Sequence, residues 1–265
     1  GEALFARARR LLAAADLSDF TLTDSVVIGG EASFGAHAGA APPREVIMKL
    51  VADHPTQQGA ALFAREQWAA ISGMAVGTSI NLATAVQPMT GLFQFLYRKD
   101  AIAPTLHIHG AQTALPAAKG VAEPPSRSPE SAVALPETPG TVAVNLVQLA
   151  YARSGDKGHL FNVAAIARRA EYLPYLKAAL TAEAVGEWYR HLGSTGAPPR
   201  VDVYEAPGLN ALNCVSNDAL PGGINASTRL DPAAKGMAQK LLRFPVQVSA
   251  AIDATLTNAH PSEGD

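Results

Sequence analysis

Cysteine is nearly missing from this sequence. Cys214 stands alone among 265 residues, which excludes an internal disulfide and a cysteine-built zinc centre. Read by itself, that thiol is a buried, inert side chain rather than a nucleophile. Charge of one sign is also missing. A formal net charge of −2, with 17% charged residues, gives no global attraction to nucleic acid or to an anionic membrane. No apolar run approaches transmembrane length and no signal peptide is visible, so a reducing, cytoplasmic location is expected. Three familiar catalytic signatures are absent as well: the phosphate-binding Gly-Lys-Ser loop, the dinucleotide fingerprint and the serine nucleophile elbow.

What is present suffices for one or two domains with real cores, since 48% of the residues are hydrophobic. Glu2–Ala15 is predicted as an amphipathic helix and Ser25–Ile28 as a strand ending at Gly29-Gly30. A small-residue loop, Glu31–Ala41, leads through Pro42-Pro43 to predicted helices over Arg44–Ala52 and Gln57–Ser72. Phe93, Phe95 and Tyr97 alternate with Gln94 and Leu96, the pattern of a strand with one aromatic face. Thr105–His109 reads as another strand, which would put His107 and His109 on the same side. No third ligand stands nearby, so hydrogen-bonded histidines and no metal are expected.

Gln112–Gly140 differs in kind. It holds six prolines and no aromatic residue, a composition that offsets little of its ordering entropy, and it reads as a linker between domains. After it, strands and helical stretches mix. Helices are expected at Glu171–Leu180, after a Thr181 cap, and from Asp231-Pro232; strands at Val201–Glu205 and Phe244–Val248, with Asn210–Val215 either a strand or an irregular edge. The tail beyond Ala250 looks loosely held.

Chemistry concentrates in Leu149–Asn162. An apolar strand, Thr141–Tyr151, breaks into the polar turn Arg153-Ser154-Gly155-Asp156-Lys157-Gly158, and a second strand, Phe161–Ala167, follows. A solvated hairpin turn and an anion or carboxylate site both fit this pattern. As a site, Asp156 and Lys157 are the candidate catalytic residues, a carboxylate that burial would turn into a base beside an ammonium. Arg153 would pair with a carboxylate or phosphate, and Ser154, Gly155 and Gly158 would complete the cradle. Asn162 and Asn213 would orient a carbonyl, Gly222 and Gly223 would let backbone approach a ligand, and Arg229 is a second anion anchor. The bland counterparts are asparagines closing turns, glycines supplying positive φ and Arg229 in a surface salt bridge.

The run ARSGDKG at 152–158 with Asn162, LNALN at 209–213, ALPGG at 219–223 and the STRLD stretch opening 227–240 resemble the C-terminal ferredoxin-fold domain of the acyclic terpene utilisation (AtuA) family. His159 stands where that family has an acidic residue, and Lys235-Gly236 where it has Gly-Lys. EVIMKL, ALFAREQ and the VQP…FLYR run are similar to the end of the family's larger N-terminal domain. The resemblance implies an α+β (mixed α/β) chain in four parts. Residues 1–110 would be the C-terminal part of a large α/β domain, 111–140 a Pro/Ala-rich linker, 141–250 a ferredoxin-like α+β sandwich and 251–265 a tail. A longer native chain or a partner would supply the earlier part of the large domain. The implied function is bacterial catabolism of acyclic isoprenoids through CoA thioesters. The chain would be an enzyme or enzyme subunit, of hydrolase or lyase type, acting on a branched acyl-CoA or related carboxylate. CoA would then be a moiety of the substrate, with no cofactor. A homo- or hetero-oligomer is implied, with neither nucleic acid nor membrane as partner. The alternative is a non-catalytic assembly module in a multi-subunit catabolic complex.

Overall fold

The computed structural model describes residues 1–29, 32–39, 41, 43–73, 76–79, 86–91, 93, 95–117, 134–138, 140–193 and 196–259. Most of the predicted linker therefore lies outside the described residues, as do Gly30, Pro42 and Gln94. Among the described residues no helix is long and apolar enough to cross a membrane.

The amino-terminal part is built from α1 (Glu2–Ala14), β1 (Leu22–Ile28), β2 (Ile47–Asp53) and α2 (Gln57–Gly73). Leu4, Ala8 and Leu12 recur on one face of α1 and are buried, as the helical period demands. Phe5 on α1 stacks on Phe63 of α2, with ring centroids 5.2 Å apart, and Phe20 closes the cluster edge-on at 5.6 Å from Phe63. The predicted helix at Arg44–Ala52 is instead strand β2. Its Val46, Ile47 and Leu50 fit a helical stripe, but an antiparallel ladder with β1, from Leu22↔Asp53 to Ile28↔Ile47, satisfies the backbone.

A small hairpin follows, β3 (Thr105–Ile108) with β4 (Ala111–Ala114). Its two-residue turn is His109-Gly110, with φ 48° and 82°, as a type I′ reversal requires. His109 therefore lies outside the strand, and the period-two argument that paired it with His107 does not apply. The aromatic run is also corrected. The described residues of 91–98 form no strand, and Phe93, Phe95 and Tyr97 are exposed, with successive ring centroids 6.1 and 6.2 Å apart.

The carboxy-terminal part contains β5 (Val142–Asn145), α3 (Leu146–Leu149), β6 (Ala150–Lys157), β7 (Leu160–Ala167), α4 (Leu173–Ala179), α5 (Ala182–Trp188), β8 (Val201–Ala206), β9 (Ala211–Ser216), α6 (Met237–Leu241), β10 (Pro245–Val248) and α7 (Ala250–Ala259). The single strand expected over Thr141–Tyr151 is thus broken by one helical turn, at whose start the Gln148 side chain accepts from the Asn145 amide at 3.1 Å. Four strands form an antiparallel sheet in the order β6-β7-β9-β8, and β5 pairs separately with β10. Helices α4, α5 and α6 cover one sheet face and enclose a core of Leu146, Leu176, Leu212, Leu220 and Leu241, all fully buried. Two buried tyrosines enter that core with partners. Tyr189 donates to the Met237 carbonyl at 2.8 Å, and Tyr175 to the Ser249 hydroxyl at 3.0 Å.

Of two predicted helix starts, one holds and one does not. Thr181 caps α5 as predicted, accepting from the Ala184 amide at 3.2 Å. Asp231 does not start a helix; its carboxylate accepts from the Lys235 and Gly236 amides at 3.0 and 2.6 Å. Ala234, at φ 52°, breaks helical geometry in between, so α6 begins only at Met237. The described part of the segment predicted as a loose tail is α7, which buries Leu256 against the core.

Strand β6 is an edge strand, and an edge must be covered or blunted. Ser154 does this from within. Its buried hydroxyl accepts from the Ala238 amide at 2.9 Å and donates to the Lys235 carbonyl at 3.2 Å, while the Asp156 amide donates to the Ala233 carbonyl at 3.1 Å. Ser154→Ala leaves the buried Ala238 amide without its acceptor, so a destabilisation of about 1–3 kcal/mol is expected in urea unfolding with the m-value unchanged.

Candidate functional site

The polar stretch is mostly strand, not turn. β6 runs through Lys157, and only Gly158-His159 reverses the chain before β7, pairing Lys157 with Leu160. Gly158 takes φ 71° at the first turn position, as a type II′ hairpin requires. Because the stretch is extended, its side chains alternate between faces. Arg153, Gly155 and Lys157 fall on the face that the helices leave open, and Ser154 and Asp156 on the covered one. The candidate catalytic pair, Asp156 and Lys157, is therefore divided between opposite faces.

On the open face the ladder puts Gly155 opposite Asn162, and Arg153 opposite Ala164, with Asn213 beyond it on β9. Asn162 donates through Nδ2 to Asn213 Oδ1 at 2.8 Å, so the two predicted carbonyl-orienting amides meet across β7 and β9. Gly155 has no side chain, and two ammonium groups fill the space above it. A Cβ at this position would lie 2.9 Å from Lys235 Nζ and 3.8 Å from Lys157 Nζ. Lys157 Nζ also donates to the Asp156 carbonyl at 2.9 Å. Arg153, Lys157 and Lys235 are exposed and make no ion pair among the described residues. Lys235 is the member that sequence reading misses as a site residue. The Lys-Gly at 235–236 marks the place, but only the fold carries it over β6, 80 residues upstream.

The other predicted residues lie elsewhere. Gly222 and Gly223 form a turn with φ 81° and 70°, where a Cβ on Gly222 would sit 2.8 Å from Ala226. That turn is tied to the β6–β7 reversal by the Leu220 amide, which donates to the His159 carbonyl at 3.0 Å. Arg229 stands apart from the Gly155 cradle, in a cavity between β1 and the chain leading into α6, and its Nη2 donates to the Leu192 carbonyl at 2.5 Å. Among the described residues no three His, Cys, Asp or Glu side chains gather in the manner of a metal centre.

Cys214 lies on β9 facing the helices, and burial pushes its thiol up to about 12. It is a core residue, as the sequence suggests. A thiol-reactive disulfide reagent at pH 8 is expected to leave the folded protein unmodified and to titrate one thiol in guanidinium chloride.

Comparison with known proteins adds one match. Residues 144–247 fit the family model of the AtuA ferredoxin-like domain. No curated protein and no solved structure matches the chain. The matched span runs from β5 to β10 and includes the four-stranded sheet, the Ser154 pin and both lysines over Gly155. Over residues 144–247 this chain is similar to the AtuA ferredoxin-like domain.

Proposed function

We propose that the protein serves acyclic terpene catabolism as an enzyme or enzyme subunit, holding a branched acyl-CoA or related carboxylate by an anionic group over Gly155. The observation that carries this reading is the convergence of Lys157 and Lys235 on the space that a side chain at 155 would occupy. Two unpaired ammonium groups side by side repel one another, and an anion between them removes that cost. Arg153 stands one ladder row away on the same face, and the Asn162–Asn213 amide pair adjoins it. Such exposed cations are each weak and screened by salt, so the affinity comes from their number and from the absent Cβ. Asp156, on the opposite face, supports the strand rather than the ligand in this reading.

A second reading, an assembly module, is favoured by the rest of the same face. Tyr151, Ile166 and Tyr204 stand 58%, 38% and 46% exposed there, with the Arg168 guanidinium 3.9 Å from the Tyr151 ring centroid. An open apolar sheet face of this kind is what a partner would cover.

Thermal unfolding with isovaleryl-CoA separates the two. The first reading expects a rise in Tm of about 3 °C at about ten times Kd, weakened by salt and lost in the Lys157→Ala, Lys235→Ala double variant. A shift that survives in the double variant, or no shift with any acyl-CoA or small carboxylate, overturns it. Stability that depends on protein concentration, and that Tyr151→Lys abolishes, would establish the second reading instead.

A further inference from the structure

The cavity that holds Arg229 lies away from the Gly155 cradle and has its own chemistry. It measures about 370 Å³, within the range of small-ligand sites, and β1 forms one wall. Thr228–Asp231 and the start of α6 form the other. The amino-terminal segment is docked against this region at several points. His37 stacks on Trp188 with ring centroids 3.6 Å apart, Lys49 Nζ donates to the Thr228 carbonyl at 3.1 Å, and a Cβ on Gly35 would sit 2.7 Å from His191.

Three polar groups in the lining are incompletely satisfied: two cations, whose partners are the Leu192 carbonyl for Arg229 and the Phe34 ring for Lys240, and one imidazole. Arg229 and Lys240 are both half-buried, and among the described residues neither has a carboxylate within ion-pairing distance. Burial lowers the pKa of each, the direction expected of a cation short of a counter-charge. The carboxylates nearby do not supply one. Asp231 is engaged by the Lys235 and Gly236 amides and favours the Lys240 charge only from a distance, as Asp24 on β1 does the Arg229 charge. The third group is His191, whose Nε2 is buried without a hydrogen-bond partner. Burial, then Lys240, hold its pKa down at about 4, so the ring is neutral at physiological pH.

We propose that this cavity is a binding site for a short-chain hydroxycarboxylate. The carboxylate sits between Arg229 and Lys240, the hydroxyl meets His191 Nε2, and the carbon chain lies on Met237 and Leu192. Half-buried cations without counter-ions call for an anion. A hydroxyl both donates and accepts, so it satisfies Nε2 in either imidazole tautomer. Asp24 and Asp231 in the same walls disfavour a second negative charge, which selects monocarboxylates over dicarboxylates and phosphates. The proposal does not depend on the Gly155 cradle, which has different cations.

The test compares 3-hydroxybutyrate with butyrate on the full chain carrying ¹³C-methyl methionine, because Met237, one of four methionines, lines the cavity. The Met237 methyl resonance is expected to shift saturably with 3-hydroxybutyrate, and butyrate to bind about tenfold more weakly, the worth of one hydrogen bond to a buried partner. The shift should vanish in Arg229→Gln and in Lys240→Gln, and persist in the Lys157→Ala, Lys235→Ala variant. No Met237 shift at about 10 mM 3-hydroxybutyrate, a concentration that would reveal even millimolar affinity, overturns the proposal. So does equal binding of butyrate, or binding unchanged in both single variants. Because the resonance is read in the unmodified protein, the outcome stands even if either variant fails to fold.

Discussion

The alternation of side chains along an extended strand is the constraint on which the rest of this domain depends. Strand β6 runs unbroken from Ala150 to Lys157, so its odd and even positions must part company. The even positions face the helices, and Ser154 there binds the chain that leads into α6. The odd positions face away from the helices and bear a guanidinium, an empty position and an ammonium. One short sequence thus both fastens the sheet edge and displays charge, and neither role competes with the other for side chains.

That fastening explains how Lys235 reaches Gly155. Asp231 gathers the Lys235 and Gly236 amides, Ala234 adopts a left-handed conformation, and Ser154 accepts from Ala238. Each contact fixes a backbone group close to Lys235, so the ammonium is delivered by a braced loop rather than by a free strand end. The Asp156 amide, bonded to the Ala233 carbonyl, locks the same loop against the other side of the edge. Removing a brace should disturb the charge display even though the braces themselves face the core.

Much of the fold is legible in the sequence wherever local chemistry and tertiary packing agree. The periodicity of α1, the Thr181 cap and the strands at β8 and β10 are of this kind, and so is the likeness of the span holding ARSGDKG to the AtuA ferredoxin-like domain. Legibility fails where a distant partner decides. Val46, Ile47 and Leu50 fit a helix, and only the ladder with β1 makes Ile47 and Leu50 strand. The ARSGDKG run has the glycine and charge content of a turn, but its neighbour β7 and the 231–238 segment hold all of it except the last residue extended. The asparagine pair is readable as two polar residues and not as a contact, because Asn162 and Asn213 lie on different strands. Lys240 carries no local signal, and Lys235-Gly236 marks a place without giving it a role; both lysines are surface-type residues that acquire meaning from what the fold sets opposite them.

The walls of the Arg229 cavity come from two stretches of chain more than 150 residues apart, Asp24–Val27 on one side and Thr228–Asp231 on the other. Whatever occupies it must gain affinity from the closeness of those stretches, and by thermodynamic reciprocity must hold them together by the same free energy. Occupancy of the cavity and cohesion of the two halves of the molecule are therefore a single equilibrium seen from two ends.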